Sequence, residues 1–517
     1  MTIRGPVEEL PEGAIMPEAK VASPRPSASV VISRDGDEIL LGHRVSELPA
    51  FPDMWSFPGG GISNVDNEAL GLSPEVLPGM GSARLAAFAL VREMVEELGF
   101  APDGNSDFLL VDDNVRSMVC GSKLGWLEAI GSDLIDLGGF QCEVITERTT
   151  PPHGPIRFHN LFFHVQLNDS LLEPSFPPGK SEFDEFRWWN PVSLISAWES
   201  NEVRLPPPII TLVRDLIEAT ENEGSLQGGF AYLSSDPPRG KHRFEFAPKV
   251  ECILIPTATL PPATHTNCYV LGERGGERVI VDPAVRNEEG LLELRAKIEE
   301  IQSDGSTVIG TVFTHRHPDH LGDLGLIGGL YNAPVWASSQ THLAIGGEYE
   351  EVVIRDGDAF ALKGPSGDSN WGVIETHGHC PGQICLIGES GVVSGDNCSL
   401  VGTILVPSSD GDMNYYISDL NRIRDLSPRM LFPGHGPLVA NPRRLLSRYI
   451  EHREARHNRV LEAVKSGKKR LSEIAREAYA DTPDANQILS EDQTLSHLKS
   501  LVSSGLVSED DEGYIPG

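Results

Sequence analysis

The stretch THRHPDH, residues 314–320, decides the fold of the C-terminal half because it gathers three imidazoles and one carboxylate directly after an apolar run. That run, residues 307–313, is rich in Val, Ile and Phe and predicts a buried strand, so the cluster lies in the loop where the strand ends. There the first two histidines can bind one metal ion, while Asp319 and His320 reach a second. Imidazole combined with carboxylate suits Zn²⁺, and two such ions can activate one shared water. The alternative interpretation is a solvated histidine-rich turn.

Three downstream loop positions, each after an apolar run, extend this ligand set. His379 in THGHCPG is predicted to join the first ion, Asp396 in SGD to bridge both ions, and His435 in LFPGHG to join the second. Together with residues 314–320, these motifs resemble those of the metallo-β-lactamase-fold hydrolases, and the resemblance covers roughly residues 248–440. It implies an αββα sandwich with a binuclear zinc site.

The same resemblance assigns roles to individual residues. It implies that one ion is held by His315, His317 and His379, the other by Asp319, His320 and His435, and that Asp396 binds both. Asp319 is also expected to be catalytic. Asp282 is expected to support the metal loop, whereas His377 is expected to shape its turn without binding metal.

A second chemical signature lies in REMVEELGF, residues 92–100. On a helix Glu93, Glu96 and Glu97 stand at i, i+3 and i+4, so their carboxylates share one face and repel each other. Mg²⁺ is the natural partner because it prefers oxygen ligands and binds substrate phosphates. The alternative interpretation is an ordinary acidic helix face.

The segment WSFPGGG, residues 55–61, precedes this helix, and the order of the two resembles a Nudix hydrolase. In that family a Gly, a Glu six residues later, and the helix follow one another at fixed spacing. In this sequence the gap between Gly61 and Arg92 is far too long for that spacing. Counting back from Arg92, Arg84 takes the place of the isolated Glu and Pro78 that of the Gly. The loop before the helix is therefore predicted to be expanded.

A Nudix subgroup that includes coenzyme A diphosphatases has such an insertion, and TTPP at residues 149–152 with RFHNLFF at residues 157–163 resembles a segment of that subgroup. This resemblance implies that the three glutamates hold Mg²⁺ or Mn²⁺ against a diphosphate, with Glu93 as the base and Arg92 orienting the carboxylates. Glu182 and Glu185 are candidates for a further metal-binding acid, or are solvent-facing charges.

Composition predicts a multidomain soluble enzyme. A chain of 517 residues accommodates about three domains, and no run approaches the ~18 apolar residues of a membrane span. The N-terminal residues lack the apolar core of a signal peptide. Seven cysteines without paired spacing favour free thiols and a reducing compartment, so a cytoplasmic location is expected and no membrane contact. The oligomeric state is left open.

The net charge of −33 opposes a general affinity for nucleic acid, but the C-terminal tail is basic. Residues 441–480 contain eleven Lys or Arg and five Glu. Apolar spacing predicts helices there, and residues 506–515 predict a terminal hairpin, an order that resembles a winged-helix domain. With HREAR at residues 452–456, this tail narrows the resemblance to a branch that includes an endoribonuclease and polyketide-releasing thioesterases. The basic face is either an RNA-binding surface or a solvated helix.

The expected fold class is therefore a multidomain α/β protein with a Nudix α/β/α domain (22–220), a linker (221–247), an αββα metallo-β-lactamase domain (248–440) and a small winged-helix domain (441–517). The expected function is thioester hydrolysis of an acyl-coenzyme A-like substrate at two zinc ions, with a Mg²⁺-dependent diphosphatase site in the N-terminal half. Two alternatives stay open: cleavage of single-stranded RNA, and a zinc hydrolase regulated by a non-catalytic, nucleotide-sensing Nudix domain.

Overall fold

The computed structural model describes residue 11 and residues 21–517 except 74, 78, 106, 153, 155, 239–243 and 347. The described chain forms two compact units, residues 22–248 and residues 249–517, the second of which also includes the described residues 11 and 21. Among the described residues, no helix combines the length and the apolar character that a membrane crossing requires.

The described residues of the N-terminal unit form ten strands and seven α-helices. The strands are β1 (Arg25–Arg34), β2 (Glu38–Arg44), β3 (Trp55–Ser56), β4 (Gly59–Gly61), β5 (Phe100–Pro102), β6 (Phe108–Leu110), β7 (Glu143–Thr149), β8 (Phe158–Gln166), β9 (Phe183–Trp189) and β10 (Phe244–Ala247). The helices are α1 (Asn64–Leu72), α2 (Arg84–Glu93), α3 (Asp113–Gly121), α4 (Lys123–Gly131), α5 (Pro191–Glu199), α6 (Pro207–Glu223) and α7 (Leu226–Ser235).

The main sheet of this unit has the order β3-β2-β1-β8-β7, with β4 alongside β1 and β9 alongside β2. Strands β1 and β8 are parallel, whereas β2 and β7 run antiparallel to their neighbours. Both faces of the sheet are buried because neighbouring residues of β1 enter different cores: Val30 and Ile32 pack with α2, and Val31 packs with α5 and α6. The unit is thus a helix–sheet–helix sandwich.

Residues 226–235, which the sequence placed in a linker, form helix α7. Ser225 caps its first turn, and Leu226, Phe230 and Leu233 enter the core of the N-terminal unit. The glycine pair that suggested flexibility serves close packing, because a Cβ at Gly229 would lie 2.7 Å from Oγ1 of Thr220. The expected linker also overlaps the end of α6 and strand β10, and its residues 239–243 lie outside the described residues.

The C-terminal unit begins with two sheets. Their strands are β11 (Val250–Pro256), β12 (His265–Leu271), β13 (Glu277–Val281), β14 (Thr307–Val312), β15 (Val335–Ala337), β16 (Glu351–Val353), β17 (Ala359–Leu362), β18 (Ser369–Glu375), β19 (Ile384–Gly388), β20 (Gly391–Gly395) and β21 (Leu431–Pro433). The accompanying helices are α8 (Glu288–Ser303), α9 (Pro318–Leu321), α10 (Leu324–Gly328), α11 (Ser339–Ala344) and α12 (Met413–Asp425).

Strands β11 to β16 follow one another in the first sheet, and β17 to β21 do so in the second. Helix α8 buries Leu294 and Ile298 against the first sheet, while α12 buries Tyr416 and Leu420 against the second. Tyr269 of β12 meets Phe432 of β21, with ring centroids 6.0 Å apart. The layers therefore run helix, sheet, sheet, helix.

A tail of three helices and a hairpin completes the unit. It consists of α13 (Pro442–Lys465), α14 (Leu471–Ala478), α15 (Gln487–Ser503), β22 (Val507–Asp510) and β23 (Gly513–Pro516). The two strands are antiparallel, and Val507 packs with Val460, Ile474 and Leu498 in a small core.

Candidate functional site

The histidine-rich stretch follows the buried end of β14. Pro318 starts the short helix α9, so the first two histidines lie in the connecting loop, and Asp319 and His320 lie on the helix. The carboxylate of Asp282 fixes the start of the loop by accepting hydrogen bonds from the backbone N–H of Thr314 (2.7 Å) and from its hydroxyl (2.6 Å). The side chains therefore enter the site from a firmly held backbone.

The other three predicted ligands also follow strand ends. His379 comes shortly after β18, Asp396 directly after β20, and His435 shortly after β21. All three side chains are buried. The topology thus brings residues up to 120 positions apart to one edge of the sandwich.

These side chains form overlapping groups in which the ligand atoms lie within 4.8 Å of one another. The groups are His315, His317 and His379; His315, His320 and Asp396; and Asp319, His320 and His435. The structure therefore brings together all seven residues that the sequence predicted for the zinc site, with Asp396 between the two outer groups.

Several polar atoms in the site have no hydrogen-bond partner. They are Nε2 of His315, both carboxylate oxygens of Asp319 and Oδ1 of Asp396. Imidazole nitrogens also approach each other: Nδ1 of His317 lies 2.9 Å from Nε2 of His379. Buried lone pairs that converge in this way are costly unless a cation lies between them. The donor set of imidazole and carboxylate therefore fits metal ions, and zinc in particular.

Burial and charge set the protonation of the imidazoles. Burial, with neighbouring histidines, lowers the pKa of His379 to about 4 and that of His315 well below its usual range, so both are neutral and ready to coordinate. Burial alone would also lower the pKa of His435, but Asp396 and Asp319 raise it to about 10. In the absence of metal this imidazole holds a proton that a bound cation would displace.

Each of four imidazoles is oriented by an acceptor on its other nitrogen. His379 donates from Nδ1 to the carbonyl of Leu405 (2.9 Å), and His435 donates from Nδ1 to the carbonyl of His265 (2.9 Å). Asp282 lies 2.9 Å from Nδ1 of His320, and Asp410 lies 3.2 Å from Nε2 of His317. Such partners fix which nitrogen faces the metal.

The sequence motifs did not reveal the roles of Leu405 and Asp410, because neither residue lies in a recognisable motif. His377 binds the backbone of its own turn, since the N–H of Gly382 donates to its Nδ1 (3.2 Å). Cys380 is buried, and its thiol lies within 4.8 Å of ligand atoms of His317 and Asp410.

The acidic cluster of the N-terminal unit departs from the regular helix that the sequence predicted. Helix α2 ends at Glu93, and the next five residues, Met94–Leu98, form a π-helical turn that carries Glu96 and Glu97. Oε2 of Glu97 accepts a hydrogen bond from the backbone N–H of Gly59 (2.8 Å). A Cβ at Gly60 would lie 2.4 Å from Oε1 of Glu93, so the glycine-rich strand packs directly against the carboxylates.

Arg92 and Asp66 form a buried ion pair at the base of this cluster. Nε and Nη2 of Arg92 donate to the two carboxylate oxygens of Asp66 (2.7 and 3.1 Å). Nη1 of Arg92 lies 2.8 Å from Glu93 and 3.0 Å from Glu96. One guanidinium therefore holds three acids in place.

The acid that pairs with Arg92 is Asp66, which the alignment of the sequence did not place at the position of the isolated acid. Arg84, expected at the place of an isolated acid, instead donates to the carbonyls of Val76 (2.8 Å) and Ser73 (3.4 Å) within the insertion. Pro78, its companion in that alignment, lies outside the described residues. Asp66 stands six residues after Gly60, which is the spacing expected between the glycine and the isolated acid. Counting forward from Gly60 would therefore have identified Asp66 from the sequence. The insertion lies between this acid and α2.

Crowding in a buried place disfavours ionised glutamates. Burial, with repulsion from Glu96, raises the pKa of Glu93 to about 7, despite Arg92. Burial and Glu93 raise the pKa of Glu97 well above its usual range, and Glu182 adds to this effect. Glu182 itself pairs with Arg44 (3.5 Å), whereas Glu185 pairs with Arg187 at the surface. A divalent cation would relieve the repulsion.

Comparisons with known proteins bear on the C-terminal half. The family model for the Metallo-beta-lactamase superfamily matches residues 261–435. A "Beta-lactamase-like protein 2 homolog" from Caenorhabditis elegans is 26% identical over 254 residues, covering 47% of this chain and 80% of that protein. An "Atrochrysone carboxyl ACP thioesterase" from Aspergillus fumigatus is 25% identical over 204 residues, covering 39% of this chain and 60% of that protein.

One similar solved structure is a NUDIX hydrolase from Alicyclobacillus acidocaldarius, with 19% identity and a TM-score of 0.34, which covers 38% of this chain and 93% of that one. This family model covers residues 261–435, so the winged-helix prediction and the Nudix prediction, which concern other residues, both stay predictions. The αββα layers, the convergent histidines and the family match agree with one another. Residues 261–435 therefore form a metallo-β-lactamase domain, the hydrolase fold that the sequence motifs predicted.

Proposed function

We propose that the C-terminal half hydrolyses thioesters of an acyl-coenzyme A-like or carrier-bound substrate at a binuclear zinc site. The observation that carries this proposal is the set of buried, convergent donors, arranged as two groups with Asp396 between them. The similarity to a protein named as a carrier-protein thioesterase favours a thioester over other hydrolysable bonds.

The proposed roles follow the observed groups. His315, His317 and His379 would hold one ion, Asp319, His320 and His435 the other, and Asp396 both. Two zinc ions held by these residues would supply a Lewis acid and would lower the pKa of a water.

A side chain of the protein is needed to transfer the proton of the attacking water. Hydrolysis adds water across the C–S bond and releases a carboxylic acid and a thiol. Neither oxygen of Asp319 accepts a hydrogen bond in the structure, so one oxygen can bind metal while the other takes the proton of the attacking water. Asp319 can then return this proton to the leaving sulfur.

A parallel assay tests this function. Purified protein is incubated with a series of acyl-coenzyme A thioesters and with fluorescent single-stranded RNA, and free thiol and RNA fragments are measured. We expect thiol release without RNA cleavage. Cleavage of RNA without thiol release would show instead that the hydrolysed bond is a phosphodiester and not a thioester.

The structure gives a reason to disfavour RNA. In the HREAR segment of α13, Arg453 and Arg456 are buried, and their guanidinium groups donate to the carbonyls of Ile404 and Ala478. Two of the basic side chains that suggested an RNA surface are thus committed to internal contacts. We propose that the tail is a winged-helix domain, as its helices and hairpin suggest, that serves packing more than RNA binding.

We further propose that the N-terminal half is a Mg²⁺- or Mn²⁺-dependent Nudix diphosphatase. Glu93, Glu96 and Glu97 would hold the cation against a diphosphate, and Glu93, with its pKa near neutrality, would serve as the base. The buried pair of Asp66 and Arg92 favours an intact acidic site despite the insertion.

The alternative for this half is a nucleotide sensor without turnover. A panel of nucleoside-diphosphate conjugates and coenzyme A, assayed with Mg²⁺ and with Mn²⁺, separates the two functions. Release of phosphorylated products supports the diphosphatase. Calorimetric binding without turnover would support the sensor.

A further inference from the structure

The loop of residues 404–412 contacts two of the proposed metal ligands. The carbonyl of Leu405 accepts the Nδ1–H of His379, and the carboxylate of Asp410 lies 3.2 Å from Nε2 of His317. These two imidazoles belong to the same ligand group. The partners of His320 and His435 come from elsewhere, namely from Asp282 and from the carbonyl of His265.

The same loop is held by three residues of tail helix α15. The side-chain amide of Gln493 pairs with Val406 in both directions: its Nε2 donates to the carbonyl (2.8 Å), and its Oε1 accepts from the backbone N–H (3.3 Å). The carboxylate of Asp492 accepts from the hydroxyl of Ser408 (2.6 Å), and Nζ of Lys499 donates to the carbonyl of Ser408 (2.7 Å).

Helix α13 of the tail secures this contact from a second direction. Nη1 of Arg453 donates to Oε1 of Gln493 (3.2 Å), and Nη2 donates to the carbonyl of Ile404. The Arg453 guanidinium also lies 5.4 Å from the ring centroid of Tyr416. Both Arg453 and Gln493 are buried, so loss of either would leave polar groups without partners in a place that water does not reach.

We infer that the tail is a working part of the metal centre: Gln493, with Asp492, positions the 404–412 loop, and this loop orients His379 and His317 toward one of the two ions. Gln493 is a positioning residue, since it acts through Leu405 and Asp410 and does not bind metal itself. The inference rests on the proposed binuclear site.

The test compares two substitutions on the same helix. Gln493→Ala removes the contact with the loop. Ser500→Ala removes a hydrogen bond from α15 to Asn414 on α12 (2.6 Å) and leaves the loop contacts in place. Zinc affinity is measured by competition with a chromophoric chelator, and the two sites are also followed in the Co²⁺-substituted protein by visible absorption.

Loss of an outer partner of a metal ligand costs roughly 10–100-fold in affinity. Because Gln493→Ala keeps those partners and only loosens the loop that carries them, we expect it to bind one of its two ions about tenfold more weakly, at the low end of that range. The second ion should keep its affinity, and the Co²⁺ spectrum should change for one site alone. Ser500→Ala should match the wild-type protein in both measurements.

A conservative pair at the neighbouring position adds a second test. Asp492→Asn keeps an oxygen that can accept from Ser408, whereas Asp492→Ala does not, so the Asn variant should keep the affinity that the Ala variant loses. Unchanged zinc binding in both Gln493→Ala and Asp492→Ala, or equal weakening of both ions in these variants and in Ser500→Ala, would overturn the inference. A wild-type protein without zinc would instead contradict the proposed metal centre itself.

Discussion

At the scale of single residues, the metal site shows which features a sequence reveals. The seven proposed ligands were found because each lies in a short motif after an apolar run. Leu405 was missed because it contributes a carbonyl, which every residue possesses. Asp410 was missed because its partner, His317, lies 93 positions earlier, and only the fold brings the two together.

The first residue-level prediction concerns the ligands. Asp319→Ala and His379→Ala each remove one donor from a different group, so each variant should bind less zinc and lose at least about a hundredfold in thiol release, since the remaining donors cannot complete the site. Metal content is measured by atomic emission and folding by circular dichroism. Full activity and two zinc ions in both variants would contradict the binuclear site.

At the scale of elements, the acidic helix shows the limit of a periodic pattern. The i, i+3, i+4 spacing placed the three glutamates on one regular helix, but a π-helical turn follows Glu93. The long insertion also hid Asp66, because the match was counted back from Arg92. The pair of Asp66 and Arg92 is a contact between two helices that the sequence separates by 26 positions.

A prediction at this scale concerns the two later glutamates. Replacing Glu96 and Glu97 together with Gln removes the charge while it keeps the shape of the π-helical turn. The double variant should lose Mg²⁺-dependent release of phosphorylated products by about a hundredfold or more, because neutral amides bind Mg²⁺ poorly. Thiol release by the C-terminal unit, measured on the same sample, is the internal control. Undiminished diphosphate turnover would place the cation elsewhere.

His164 on β8 gives a prediction for pH. Its ring stacks on Phe230 of α7 at a centroid distance of 3.7 Å and lies 2.8 Å from the hydroxyl of Ser33. Burial lowers its pKa from 6.5 to about 3, so between these values the unfolded chain binds a proton that the folded chain does not. The contribution of neutral His164 to the free energy of unfolding is therefore complete above pH 6.5. It decreases as the pH falls below 6.5, by up to roughly 1.4 kcal/mol per pH unit.

The measurement is urea unfolding of wild-type protein and of His164→Gln between pH 7 and pH 5, followed by tryptophan fluorescence. The substitution itself lowers stability, but it removes the titrating group, so its pH dependence should be shallower. Equal slopes for the two proteins would show that His164 does not titrate in this range.

At the scale of the whole molecule, the described chain forms two compact units with separate cores, for which we propose two kinds of metal chemistry. The sequence predicted both chemistries from local motifs, and the family match confirms the metallo-β-lactamase domain. It could not predict that helix α7 belongs to the N-terminal core, because Gly-rich composition is shared by linkers and by closely packed helices. Nor could it predict that Arg453 and Arg456 of the basic tail are buried.

The division into two units predicts how metal removal affects stability. A ligand that binds only the folded state stabilises it by RT ln(1 + [L]/Kd), so zinc should stabilise the unit that contains its ligands and no other. Scanning calorimetry of the whole chain should resolve two transitions. A zinc chelator should lower the Tm of one transition by several degrees, because about 1 kcal/mol corresponds to roughly 2–4 °C in units of this size.

Zinc added back in excess of the chelator should restore that transition, and Mg²⁺ should not. The His164→Gln substitution marks the other transition, since it lies in the N-terminal unit and should lower only that Tm. If the chelator moved both transitions equally, or moved the one that His164→Gln marks, zinc would not be bound by the histidine and aspartate groups of the C-terminal unit, and the proposed metal centre would fail on thermodynamic grounds that are independent of any substrate.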